Sequence, residues 1–479
     1  MEAQVCGQLA EVFLSLDNYE KSLDYGLKCL SLSEKTGRKD LEAVASASIG
    51  SAYSNLGDLR RGLEFHTKSL DANSTTGDQK QKWKCLHNLG VTLSDLGDNE
   101  SAIGYFTESL AVAEDVGDKL VIGESHGGLG SVFYRTSRYP EAIVHNEKHL
   151  EMAKEVKDKE SQAKACGNLG NFYLTQGDYI KAFALHQQQL TLYQETGNKL
   201  GEGNAKGFLG NVYYYRGELA KAISNYEALL SIANMLKNKA AQAYALRRIG
   251  RSEHSLGENR EAQENLEKML QLSIEIGHKT YQGDAYGFLG STHTSLGNYE
   301  EAMEMQKKFL EISKSTGDKV AEGLANAYLG GIYYFRGEFQ EALEHHRFNL
   351  ALNRELGNKG REGRSVEKVG NIHFQLGNYN EAIECYQQSL DIAKSIQDKA
   401  LEGASYANLG NSFHALGMYS QAVEMSEKAL PYAKAVGDKR MEGAMFGNLG
   451  RAYNSIKNHK KELECHLRHL SLCEELEEK

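Results

Sequence analysis

A glycine preceded by Leu, Ile or Val stands at Gly50, Gly90, Gly130, Gly170, Gly210, Gly250, Gly290, Gly330, Gly370, Gly410 and Gly450, a spacing of forty without slippage. Leucine keeps the same period from Leu30, Leu70 and Leu110 to Leu390, Leu430 and Leu470, so the phase holds across about twelve units. A fixed period in the range of about 20 to 50 residues overrides any reading as separate globular domains, because each unit touches only its neighbours. The chain therefore reads as one continuous array over 1–479, with degenerate terminal units at 1–38 and 439–479.

Within a unit the apolar residues recur at helical spacing, as in Leu409, Phe413 and Leu416 and then Tyr419, Ala422, Val423, Met425 and Leu430. Each unit is thus two helices. Turn glycines such as Gly57, Gly97, Gly177, Gly217, Gly257, Gly297, Gly337, Gly377 and Gly417 separate them. Gly-Asp-Lys or Gly-Asn-Lys closes many second helices, at Gly117, Gly197, Gly317, Gly357 and Gly437. Glycine just past a helix end suits the left-handed cap, which carries no Cβ penalty there.

Leu169-Gly170, Tyr173, Gly177, Ala182, His186 and Leu190 carry a pattern that resembles the tetratricopeptide repeat. That family's usual unit is about 34 residues with a closing Pro, whereas this chain uses forty and closes on Gly-Asp-Lys. The longer variant resembles the repeats of G-protein-signalling modulators (Pins/LGN type) and of very large multi-repeat animal proteins. The resemblance implies an all-α, right-handed superhelical solenoid of helix-turn-helix units whose first helices line a concave, ligand-binding face. It also implies a possible place in signalling or cell-polarity complexes, although the separate G-protein-binding motifs of the modulators are absent here.

Two prolines in 479 residues and 41% apolar composition fit an almost wholly helical chain. The net charge of −10 argues against a nucleic-acid binder, and no apolar run is long enough for membrane insertion. Met1–Ala10 lacks the regions of a signal peptide, and seven scattered cysteines fit a reducing compartment, so the expected location is cytoplasmic. The ends depart from the pattern: Ala10 replaces Gly, Leu16-Asp17 replaces Leu-Gly, Lys457 and Glu462 replace Gly and Ala, and the chain closes on Glu474-Glu475-Leu476-Glu477-Glu478-Lys479. Caps show such atypicality, and so does a piece of a longer protein. Pro140 falls in the first turn of a helix, whereas Pro431 falls inside one and should kink it. Trp83 has no functional reading.

Catalytic constellations are weak. Gly123-Glu124-Ser125-His126-Gly127 spells a nucleophile elbow, but its glycines are repeat positions within a helix rather than a strand-to-helix turn. Cys465, His469 and Cys473 share a helix face yet occupy ordinary packing positions, and His66, His186, His346 and His466 fill one structural position. No metal, cofactor or enzymatic activity is expected. The helical glycines such as Gly123, Gly127, Gly203, Gly207, Gly283, Gly287, Gly443 and Gly447 each cost about 1 kcal/mol of propensity, which close helix approach should offset.

The presumed groove positions flank the Leu-Gly pair. Asn88, Asn168, Arg248, Lys368, Asn408 and Asn448 stand just before it, and Asn171, Asn211, Arg251, Asn371, Asn411 and Arg451 just after. An amide offers donor and acceptor together, so a ladder of them suits the main chain of an extended ligand. Over five presumed groove positions, those four, seven, eight, eleven and fourteen residues into each block of forty, the cations (Lys84, Lys164, Arg247, Arg248, Arg251, Arg364, Lys368 and Arg451) outnumber the anions Glu11, Glu124, Asp284 and Glu367, leaving a basic furrow in an acidic body. Arg247, Arg248 and Arg251, with His254 beside them, form its expected focus, flanked by Phe208, Tyr214, Tyr215, Phe288, Tyr328 and Tyr334. The expected function is a scaffold or adaptor that binds an extended acidic segment of a partner protein. The rivals are a self-associating structural array and a regulatory subunit of an enzyme.

Overall fold

The computed structural model describes residues 1–16, 18–436 and 439–477; Asp17, Gly437, Asp438 and the last two residues of the acidic tail lie outside them. Every described element is a helix. Contacts divide the chain into two compact units, Met1–Asn238 and Lys239–Lys479.

The first unit holds α1 (Glu2–Ser15), α2 (Tyr19–Thr36), α3 (Lys39–Asn55), α4 (Leu59–Asn73), α5 (Gln79–Leu96), α6 (Asn99–Val116), α7 (Lys119–Arg135), α8 (Tyr139–Glu155), α9 (Lys159–Thr175), α10 (Tyr179–Thr196), α11 (Lys199–Tyr215) and α12 (Leu219–Met235). The second holds α13 (Lys239–Leu256), α14 (Asn259–Glu275), α15 (Lys279–Ser295), α16 (Tyr299–Thr316), α17 (Lys319–Phe335), α18 (Phe339–Glu355), α19 (Lys359–Gln375), α20 (Tyr379–Ile396), α21 (Lys399–Ala415), α22 (Tyr419–Val436), α23 (Lys439–Ser455) and α24 (His459–Glu477). Odd-numbered helices are the first helices of the repeats and even-numbered ones the second. Within each unit successive helices pack on one another, and most first helices also touch the next first helix, as α5 does α7 and α19 does α21. In each unit taken by itself the first helices thus form a layer.

The joints follow from local chemistry. Gly57, Gly117, Gly177, Gly317 and Gly417 are among the residues with positive φ, which terminates each helix, and the same places in other repeats hold Ser137, Lys157, Lys237, Gln397 and Lys457. The next residue caps the following helix: Asp58, Asp98 and Asp178 accept from the backbone N–H of Arg61, Ser101 and Lys181. Lys399 then pairs with Glu402 at 2.8 Å, and Lys359 with Glu362 at 2.8 Å, the carboxylates being buried.

The Leu-Gly glycine has one steric task. A Cβ at Gly90 would lie 2.9 Å from the Phe106 ring, at Gly210 2.6 Å from Tyr226 and at Gly330 2.7 Å from His346. Most second helices therefore seat one sizeable side chain against the backbone of their own first helix, whereas α22 places only Ser426 under Gly410. His66 and His186 fill this place under Gly50 and Gly170 and are structural, as expected. The core continues between repeats, where Tyr386 and Leu390 of α20 meet Leu409 of α21.

Ser125 lies within α7, donating to the Val121 carbonyl at 3.0 Å and accepting from the Trp83 indole N–H at 2.7 Å, so the elbow-like spelling is packing and Trp83 gains a structural role. Cys465 is buried and Cys473 exposed. Among the described residues no group of His, Cys, Asp and Glu could hold a metal ion, and no helix is long and apolar enough to cross a membrane. Pro140 occupies the start of α8. Pro431 lies inside α22, which continues from Tyr419 to Val436 as one helix.

Candidate functional site

Within the second unit α13–α15, α15–α17, α19–α21 and α21–α23 pack directly, but α17 and α19 scarcely touch. A pocket of about 470 Å³ opens between them, floored by α18. Gly331 is one cause. Other repeats carry Ser, Asn, Arg or Val immediately after the Leu-Gly pair, whereas here a Cβ would meet nothing within 4 Å. Gly331 therefore answers to no packing demand, and its missing side chain leaves space.

The two walls differ in chemistry. From α17, Val320, Leu324, Tyr328 and Phe335 present exposed apolar surface, with Phe335 64% exposed. From α19, Arg361, Arg364 and Lys368 line the opposite side. Arg364 reaches Asp398 at 3.3 Å with its side chain largely in solvent, while the Arg361 guanidinium and the Lys368 ammonium have no ion-pair partner among the described residues. The floor is built polar and rigid: the Asn349 and Asn353 amides donate to Ser365 Oγ at 3.0 and 3.1 Å. Burial and the Lys368 charge hold the His346 ring neutral, its pKa pushed down to about 4. Tyr334 is half-buried, its ring against Phe339 at 5.6 Å, so it both packs and lines the pocket. An apolar wall facing a cationic wall can take an extended segment that carries both apolar side chains and carboxylates.

Of the residues read from the sequence, Lys368, Asn371, Arg364, Tyr328 and Tyr334 meet in this pocket. Asn371 accepts from the Tyr386 hydroxyl at 2.8 Å, so half of its amide serves the fold. Asn411, Asn448 and Arg451 line a separate space of about 250 Å³ with Phe374 and His414, where Arg451 donates to Asn448. Asn408 donates to Glu367 at 3.2 Å. In the first unit Asn168 donates to Asn146 at 3.0 Å and lines a space of about 190 Å³ with Asn171. Asn211 is 7% exposed and accepts from the Tyr226 hydroxyl at 2.8 Å. The asparagines are therefore no uniform free ladder, because several amides have been recruited to hold the second helices.

The expected charge focus is also altered. Arg247 is ion-paired with Asp284 of α15, itself one of the groove anions, and its guanidinium lies 5.5 Å from both the Tyr244 and Tyr281 rings. Arg248 lies over Tyr244 at 5.2 Å, and His254 Nδ1 meets Asn259 Oδ1 at 2.9 Å. Arg251 is half-buried and likewise engaged. Phe208 stacks on His186 at 5.1 Å. Val320, Leu324, Phe335, Arg361 and Gly331 escaped the sequence reading, Val320, Phe335 and Arg361 because they lie nearer the helix ends than the groove positions considered. The signal for the apolar wall was Leu324, Tyr328 and Phe335 together on one first helix, at places where most other repeats carry polar or small residues.

Models of the tetratricopeptide repeat match residues 85–155, 161–235, 241–315, 323–395 and 361–435, and another matches 3–36. No curated protein sequence matches the chain. Similar solved structures include a Signal Transduction ATPase with Numerous Domains, a protein with a tetratricopeptide repeat sensor from Pyrococcus horikoshii (TM-score 0.53, 16% identity, covering 70% of this chain and 53% of that one). This chain therefore spans about half of that protein. The apo quorum sensor NprR from B. thuringiensis is similar over 76% of this chain and 99% of its own (TM-score 0.54, 15% identity). A Rap protein complexed with Competence and Sporulation Factor is similar over 74% and 98% (TM-score 0.50, 12% identity). At these identities the likeness is one of fold. The family models, by contrast, cover well over half of the sequence, and the chain belongs to the tetratricopeptide repeat family.

Proposed function

We propose that the chain is a non-catalytic protein-interaction scaffold that captures an extended, acidic and partly apolar segment of a partner protein between α17 and α19. The observation that carries this reading is the pairing of exposed apolar Val320, Leu324, Tyr328 and Phe335 with the cations Arg361, Arg364 and Lys368 across one pocket. Apolar side chains of the segment would bury against α17, and its carboxylates would pair with α19, where Arg can bind bidentately. The captured factor of the Rap structure gives a precedent within this fold for holding another molecule. The forty-residue period resembles that of G-protein-signalling modulators, and that resemblance is the ground for proposing signalling or cell-polarity assemblies as the setting.

The test is fluorescence polarisation with a peptide that alternates Glu and Leu. Gly331→Leu fills the pocket from its own wall and should weaken binding by about tenfold or more, while Arg361→Glu with Lys368→Glu should do the same through charge. Arg248→Glu with Arg251→Glu should have the smaller effect. Undiminished binding by the first two variants would overturn the reading.

A further inference from the structure

We propose that a pocket in the first unit, between α5, α7 and α9, is a separate binding site for a small zwitterion of amino-acid to dipeptide size. The space measures about 410 Å³, within the range of ordinary small-molecule sites. Gly127 and Gly128 of α7 line it, and neither could carry a side chain: a Cβ at Gly127 would lie 2.7 Å from His149 Nδ1, and one at Gly128 2.4 Å from the Phe106 ring.

Four side chains that line this space, His149, His87, Glu124 and Lys164, lack hydrogen-bond partners for polar atoms among the described residues. His149 is 4% exposed, and both of its ring nitrogens are buried without a hydrogen bond. A buried unsatisfied polar group costs about 1–3 kcal/mol, so a ligand that supplied its bonds would recover that. His87 Nδ1 is buried and unsatisfied in the same way. The Glu124 carboxyl and the Lys164 ammonium have no hydrogen-bond or ion-pair partner among the described residues, although both line the pocket. Burial holds the Glu124 carboxyl above the usual carboxylate range, against the pull of Lys164 and with the nearby Asp158 and Asp118 adding to the rise. Burial, the Lys164 charge and His149 hold His87 neutral, and burial and Lys164, opposed by Asp158, do so for His149.

Charge decides the class of ligand. Arg135 at the rim is already taken, donating to Ser94 at 3.1 Å and Asp95 at 3.3 Å. That leaves one unpaired cation, one unpaired carboxyl and neutral imidazoles. A simple anion would face Glu124, and a simple cation would face Lys164. A zwitterion meets both, its ammonium at Glu124 and its carboxylate at Lys164, and the imidazoles serve as its remaining hydrogen-bond partners.

The test is isothermal titration of the intact chain with alanylalanine, with its N-acetylated form and with its C-terminal amide. Saturable binding of the free dipeptide is expected, with each capped form weaker by about tenfold or more, the loss of one charge-assisted bond. Glu124→Gln and Lys164→Gln should each weaken the free dipeptide similarly at unchanged helicity, and Gly331→Leu in the other unit should leave it untouched. No saturable binding of the free dipeptide, equal binding of either capped form, or indifference of both substitutions would each overturn the proposal. Loss of this site would leave the α17–α19 reading standing.

Discussion

Lys157, Lys237 and Gln397 hold φ of 57°, 54° and 59° at places where most repeats have glycine. A side chain in that region costs about 1–2 kcal/mol, set against about 0.5–1 kcal/mol of extra chain entropy that glycine loses on folding. Lys237→Gly is therefore expected to stabilise the chain by about 0.5–1 kcal/mol, read as a higher urea midpoint at unchanged slope. The opposite holds under the Leu-Gly lattice. Gly90→Ala drives a methyl against the rigid, buried Phe106 ring, and the expected cost is about 1–3 kcal/mol despite the gain in helix propensity. A neutral or stabilising result would mean that the ring can withdraw.

At the scale of the element, α17 and α19 show how one face of a repeat can be released from packing. Gly331 meets nothing, so Gly331→Leu should leave the melting temperature unchanged or raised, since leucine is the better helix former by about 1 kcal/mol. Binding and stability then move in opposite directions, which a merely structural glycine would not allow. The asparagines make the converse point. Asn211 and Asn371 were legible as amides beside the Leu-Gly pair, but their bonds to Tyr226 and Tyr386 of the facing helices were not. Those bonds link residues fifteen apart in sequence, and one sequence read for its repeat gives no sign of which amides they use.

At the scale of the whole molecule, buried histidines couple folding to pH. His66, His87, His126, His149, His186 and His346 all have pKa values pushed down to about 4, chiefly by burial. The unfolded chain protonates them near their ordinary value of about 6.5, so the unfolded state binds more protons between these limits. Stability is accordingly complete above about pH 6.5 and declines as pH falls towards 4. Thermal midpoints measured from pH 7 to pH 5 should drop, and His66→Leu with His186→Leu should flatten that decline, leucine being the native choice at the equivalent Leu266. A midpoint independent of pH would show that these rings reach solvent.

The forty-residue period, the left-handed joints, the Asp and Asn caps and the apolar seam were determined by sequence alone, because each is a local requirement repeated in phase. Which cations stay unpaired was decided by tertiary structure. Arg247 and Lys368 stand at equivalent-looking groove places, yet one is closed off by Asp284 of the next first helix and the other faces the space beside Gly331. Charge and spacing can be read along a chain, but pairing depends on which side chains the folded layer brings within a few ångströms.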